Sequence, residues 1–216
     1  MSLRPLFRRG PAAAACAAVL LVALAATPAR SQTWNEAGDA GPLVSTAQVT
    51  TGNGNLTTIN GTLSGTSDVD MYCIHVDDWT IFQAYFLCAS MTEPHIYLFA
   101  PSSLGIAHDD GCQASFSGVK NPYPGNNGMY YLAVANPGAL ALNGASAIWT
   151  YNAGNPIVGQ RAPDGPAAGL PLTGWAPGNT PAFNAYTVHL AGASFCAQGT
   201  TPARRTGWGE IRAMYR

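Results

Sequence analysis

From residue 32 onward apolar and polar residues alternate over short stretches broken by Gly, Pro, Asn and Asp, the pattern of β-strands separated by turns. The clearest stretch is 67–76, which reads Ser-Asp-Val-Asp-Met-Tyr-Cys-Ile-His-Val. A period of two puts Asp68, Asp70, Tyr72, Ile74 and Val76 on one face of this strand and Val69, Met71, Cys73 and His75 on the other. One face therefore runs from two carboxylates into an apolar series.

The neighbouring stretches extend the pattern. Residues 49–51 predict a strand, the run Gly52, Asn53, Gly54, Asn55 a turn, and 56–63 a further strand in which Asn60-Gly61 marks a bulge or a second turn. After a turn at Asp77-Asp78, residues 81–89 predict a long, largely buried strand; Pro94 interrupts, and 95–99 predicts another. Residues 105–108 lead into an acidic turn at 109–112, and turn chemistry at 123–128 precedes a strand at 129–135. Between 136 and 182 the alternation dissolves into Gly, Pro, Ala and isolated tryptophans, which predicts a long excursion over the body, with a short edge strand at 147–151 and Trp175 pinning it down. Residues 185–190 close the sheet. Strands at this spacing predict an all-β sandwich over residues 32–199.

Composition changes this picture only at the ends. The 24 Gly and 16 Pro against 10% charged residues favour turns and short strands over helices. Residues 1–9 are basic, 12–26 are apolar, and small residues follow at Ala29 and Ser31, which predicts a secretory signal helix cleaved near residue 31. The apolar run is shorter than the roughly 20 residues of a membrane span. Residues 200–216 form a short basic tail with Trp208, Ile211 and Tyr215 on one helical stripe. Loss of 1–31 removes Arg4, Arg8, Arg9 and Arg30 and no acid, so the basic count falls from 10 to 6 against 11 acids, a net charge of −5. Between 32 and 199 only Lys120 and Arg161 are basic, which argues against a nucleic-acid surface. Cys73, Cys88, Cys112 and Cys196 remain after cleavage, an even set that predicts two disulfides in an oxidising compartment. Three connectivities are open, with Cys88–Cys112 and Cys73–Cys196 preferred, and no Cys spacing suits zinc.

Candidate chemistry is sparse. His75, His95, His108 and His189 accompany no nucleophile elbow and no zinc-protease motif, so no catalytic residues are assigned. His108 beside Asp109 has the composition of an acid–base pair, but a turn explains both. The aromatics exceed what two small sheets need inside, and Trp79, Trp149, Tyr151 and Trp175 are the candidates for stacking on sugars or hydrophobic polymer; for Trp149 and Trp175 the competing reading is a loop anchor. The stretch 34–41 carries two acids and two glycines, an oxygen-rich arm of the kind Ca²⁺ takes.

The order of Thr62-Leu63-Ser64-Gly65, the strand 68–76, Tyr97-Leu98-Phe99, Asp109-Asp110, Pro124-Gly125 and Tyr130-Tyr131-Leu132-Ala133-Val134 resembles the bacterial pre-peptidase C-terminal domain over about residues 34–196. The resemblance implies a jelly-roll-like antiparallel β-sandwich, secreted or at the bacterial cell surface, without catalysis, serving attachment to an extracellular polysaccharide or protein polymer. It also implies a Ca²⁺ site in which Glu36 and Asp39 are the arm ligands and Asp68 and Asp70 the strand ligands. Asp68 and Asp70 lie about 6.6 Å apart along a strand, near enough to share one cation. Asp109 and Asp110 offer a further ligand or a second acidic site. The chain departs from the pattern in having no protease ahead of the module and in its four cysteines, so collagen binding is not carried over. The alternative function is an assembly module docked through its basic tail, with a secreted hydrolase behind it.

Overall fold

The computed structural model describes residues 32–87, 94–109, 115–117, 125–150, 159–178 and 185–198. In chain order its strands are β1 (Gln32–Asn35), β2 (Gln48–Val49), β3 (Thr51–Gly52), β4 (Leu56–Gly61), β5 (Val69–Val76), β6 (Gln83–Tyr85), β7 (His95–Phe99) and β8 (Gly105–Asp109). They continue with β9 (Ser115–Ser117), β10 (Gly128–Ala135), β11 (Leu140–Asn143), β12 (Ser146–Ala147), β13 (Gly174–Ala176), β14 (Tyr186–Ala191), β15 (Ala193–Phe195) and β16 (Ala197–Gln198). The protein is all-β among the described residues, built of several sheets with no closed barrel.

A five-stranded sheet runs β1-β4-β14-β6-β9, and a six-stranded sheet runs β15-β5-β10-β7-β8 with β2 also on β5. Most neighbours are antiparallel, but β1 on β4, β2 on β5 and β16 on β3 are parallel, a departure from a purely antiparallel sandwich. The two large sheets enclose one apolar core. Leu56, Ile59, Val188 and Leu190 come from the first sheet; Tyr72, Ile74, Leu98, Leu132 and Val134 come from the second. Residues 69–76 alternate as their pattern demands, because Tyr72, Ile74 and Val76 enter this core while Val69 and Met71 enter another.

That second core lies on the outer face of the six-stranded sheet. Val69, Met71, Tyr97, Phe99, Ala133 and Ala135 are covered there by Ala139, Ala141, Ile148, Trp149, Ala167 and Leu172 from the Gly/Pro-rich excursion. The excursion forms its own sheet, β12-β11-β13, and is held by the Trp175 indole, which donates to the Pro42 carbonyl at 2.7 Å. A strand covered on both faces favours apolar residues at successive positions, which is why 96–99 of β7 reads as an unbroken run after His95.

Three local expectations are corrected. Over the described part of 81–89, residues 81–87, strand is confined to the three residues of β6: the Asp78 carboxylate accepts from the Thr80 amide at 2.9 Å and hydroxyl at 2.6 Å, so the turn runs through Ile81, which is 59% exposed. Asp109 does not begin an acidic turn; it completes β8, pairs with Ile96 and is buried. The arm at 34–41 begins as strand, since Trp34 and Asn35 close β1 and pair with Ile59 and Asn60. The signal segment 1–31, the basic tail 200–216, and Cys88, Asp110, Cys112 and Tyr151 lie outside the described residues.

Candidate metal centre

Two segments distant in sequence meet where β5 begins. A turn closed by the Asp68 amide on the Gly65 carbonyl at 3.1 Å brings the chain into β5, and the Asp68 carboxylate accepts from both the amide and the hydroxyl of Ser64. Two residues on, the pleat points Asp70 into the space between the sheets, where it is fully buried. The Tyr186 hydroxyl of β14 donates to Asp70 Oδ2 at 2.6 Å, and the Tyr72 hydroxyl lies 2.7 Å from that of Tyr186, completing a buried chain of tyrosine, tyrosine and carboxylate. Gly61 is what lets the two rings approach, because a Cβ at that position would run into both hydroxyls.

The other segment is the arm after β1. The Glu36 amide continues the ladder by donating to the Asn60 carbonyl at 2.9 Å. Gly38 then takes φ +77°, the left-handed region open to glycine, and the chain turns back. Ala40 is buried and donates its amide to Glu36 Oε1 at 3.0 Å, while the Thr62 amide donates to Glu36 Oε2 at 2.9 Å. The turned arm brings one carboxylate oxygen each of Glu36, Asp39 and Asp70 within 4.8 Å of one another.

Three of the four carboxylates expected from the sequence thus converge. Asp68 stands beside them, held by Ser64, and acts through its charge. It is the largest cause of the upward shift of the Asp39 carboxyl, followed by burial and the Glu36 charge. Asp70 is pushed up to about 8, first by burial, with the Tyr186 hydrogen bond opposing and the Glu36 and Asp68 charges and a hydrogen bond to Glu36 adding to the rise. Burial likewise drives the Tyr72 and Tyr186 hydroxyls upward, so both stay neutral donors. Asp70 Oδ1 is buried with no hydrogen-bond donor. A buried acceptor beside two further carboxylates is satisfied by a proton shared with Glu36, by a water or by a cation, and the convergence of three carboxylates is the arrangement a cation takes.

The donor set is all oxygen, which suits a hard cation. Ligands on Ca²⁺ at about 2.3–2.6 Å lie no more than about 5 Å apart across the ion, whereas the shorter bonds of Mg²⁺ limit that span to about 4 Å. Convergence within 4.8 Å is inside the span that Ca²⁺ allows.

The other sequence candidates are placed differently. Trp79 is buried, with its ring 5.7 Å from Phe82 and 5.1 Å from Tyr130, and Trp149 is buried with its ring 5.5 Å from Tyr97 and 5.7 Å from Phe99. Neither presents a face for stacking, because the excursion and the sheet pair each needed a large ring to fill them. Trp175 is half-buried, edge-on to Tyr97 at 4.9 Å. Asp109 is buried away from solvent, so it forms no open second acidic site. His108 is buried against the Tyr97 ring at 4.1 Å and is no surface acid–base group. Cys73 and Cys196 form a disulfide with Cα atoms 5.4 Å apart.

Sequence reasoning missed Tyr186. Its counterpart was legible, since Tyr72 shares a face with Asp70 and a buried tyrosine needs a partner for its hydroxyl; residue 186 carried no such local mark. A groove of about 480 Å³ also went unforeseen; it opens beside Glu36 and is lined by Asn35, Asn60, Thr62 and Thr187 together with Tyr186, Ala185 and glycines. No family model, no curated protein and no solved structure matches the chain.

Proposed function

We propose that this protein is an exported, non-catalytic binding or attachment module whose fold is completed by Ca²⁺, built as a jelly-roll-like sandwich of the kind its motif order resembles. The observation that carries the reading is Asp70, whose Oδ1 is buried without a donor and which has a carboxylate oxygen within 4.8 Å of those of Glu36 and Asp39. Glu36, Asp39 and Asp70 hold the ion, and Asp68 adds charge from beside them. The ion joins the N-terminal arm to the start of β5, and it neutralises the repulsion that raises the Asp39 and Asp70 carboxyls. The Cys73–Cys196 disulfide supports a place outside the reducing cytoplasm.

The test is thermal unfolding of the protein in calcium and in chelator. A ligand that binds only the folded state adds about 2.7 kcal/mol at a concentration of 100 Kd. For a domain of this size that raises Tm by roughly 5–10 °C. Identical melting curves in the two buffers would remove the calcium site and the reading built on it.

A further inference from the structure

The groove beside Glu36 adjoins the outer face of the five-stranded sheet, where amide and hydroxyl side chains line it next to Gly38, Gly61, Ala185 and Tyr186. Asn35, Asn60 and Thr187 occupy one rung across β1, β4 and β14, with Asn60 Nδ2 donating to Asn35 Oδ1 at 2.9 Å and the Thr187 hydroxyl donating to Asn60 Oδ1 at 2.8 Å. The next rung on the same face holds Thr33 and Thr58, whose hydroxyls lie 2.6 Å apart, and His189 stacked on Tyr85 at 5.4 Å. Two rungs are separated by about 6.7 Å, a spacing comparable with a hexose ring. At about 480 Å³ the groove falls in the range of small-ligand sites.

We infer that this groove binds a neutral saccharide, with a vicinal pair of its hydroxyls completing the coordination of the Ca²⁺ held by Glu36, Asp39 and Asp70, and its other hydroxyls on Asn35, Asn60 and Thr187. The inference rests on the calcium reading above. Glu36 belongs to both the groove lining and the carboxylate cluster, so a ligand in the groove is next to the ion. Three protein carboxylates leave open positions in a sphere that takes 6–8 oxygens, and hydroxyl oxygens are suitable donors. Amide and hydroxyl side chains both donate and accept, which matches the two-way hydrogen bonding of sugar hydroxyls.

Charge decides against an anionic ligand. Four carboxylates, Glu36, Asp39, Asp68 and Asp70, outweigh one divalent ion. Arg161, the sole Lys or Arg among the described residues, is engaged with Asp164 at 3.1 Å in the excursion rather than at this groove. A uronate, sulfate or phosphate ester would meet net negative charge there, with no Lys or Arg among the described residues beside it to offset it.

The experiment applies the full chain to an array of neutral, sulfated and uronate-containing glycans in calcium and in chelator, with Tm recorded in both buffers. Expected are hits among neutral glycans in calcium and their loss in chelator. The double variant Asn35→Ala/Thr187→Ala changes two exposed side chains outside the carboxylate cluster; it should keep the calcium-dependent Tm shift and bind the same glycans at least tenfold more weakly. A calcium-dependent Tm shift with a blank array overturns the saccharide proposal and leaves the metal site standing. So does binding that survives the double variant or chelator undiminished, or binding confined to anionic glycans. Absence of any Tm shift overturns the metal site and this proposal together.

Discussion

Asp70 is the residue on which the centre turns. Buried between two sheets, it receives one strong hydrogen bond from Tyr186, and its second oxygen receives none. Asparagine has the same shape, can still accept from Tyr186, and can donate from its amide toward Glu36, which lies close enough to act on Asp70. Asp70→Asn should therefore melt in chelator at the same temperature as the parent or higher, because a carboxyl raised to about 8 must take up a proton to stay buried, whereas the amide is neutral without one. Its calcium-induced rise in Tm should vanish. Differential scanning calorimetry of both proteins in the two buffers checks this, and an undiminished rise in the variant would show that Asp70 is not a ligand. Gly61 works at the same scale: the tyrosine pair that orients Asp70 exists only because residue 61 has no side chain.

At the scale of elements, the excursion is a third layer that buries the outer face of the six-stranded sheet. It also traps two histidines. His95 and His108 lie side by side with rings 5.6 Å apart, His108 stacks on Tyr97 and lies 5.7 Å from Trp149, and His108 exchanges two backbone hydrogen bonds with Arg161 at 2.9–3.0 Å. Burial first, and then the Arg161 charge, lowers His95 to about 4; burial, His95 and Arg161 hold His108 well below the ordinary 6.5. A histidine whose folded-state value is depressed resists protonation that the unfolded chain accepts. Its stability contribution is complete above about 6.5 and is lost as the pH falls toward 4. Thermal unfolding between pH 7 and pH 4.5 should show a progressive loss, with each histidine contributing up to about 1.4 kcal/mol per pH unit. His108→Phe keeps a ring against Tyr97 and should reduce that slope. An unchanged slope would exclude His108 as its source.

On the scale of the whole molecule, the Cys73–Cys196 disulfide ties the middle of β5 to the last described segment across 123 residues. Thr50 reinforces the junction, donating its hydroxyl to the Cys73 carbonyl at 2.8 Å and accepting from the Cys196 amide at 3.0 Å. Closing so long a loop restricts the unfolded chain by about 4–5 kcal/mol in the chain-entropy account. The variant Cys73→Ala/Cys196→Ala should fold, because β15 and β16 keep their backbone pairings, and should unfold at markedly lower urea. Equilibrium urea denaturation measures the difference; a change below about 1 kcal/mol would contradict the entropic role.

Local pattern was enough to place β4, β5, β7, β10 and β14 on the chain, because alternation and turn residues act over a few neighbours. It was also enough to single out Glu36, Asp39, Asp68 and Asp70, since acids at a strand entry and on a glycine-containing arm stand out against so few charges. It misjudged the start of 81–89, where an aspartate turn overrides an apolar run, and it offered Trp79 for stacking and left Trp149 open between stacking and loop anchoring, since an aromatic residue carries no local mark of which layer will cover it.

Only the tertiary structure decided which of the four acids converge, because that depends on how Gly38 turns the arm against β4 and β5. It alone brought Tyr186 to Asp70 from 116 residues away and laid Asn35, Asn60 and Thr187 side by side as one rung. Strand composition follows from the residue and its neighbours, whereas partners across a sheet are chosen by the packing of the whole chain.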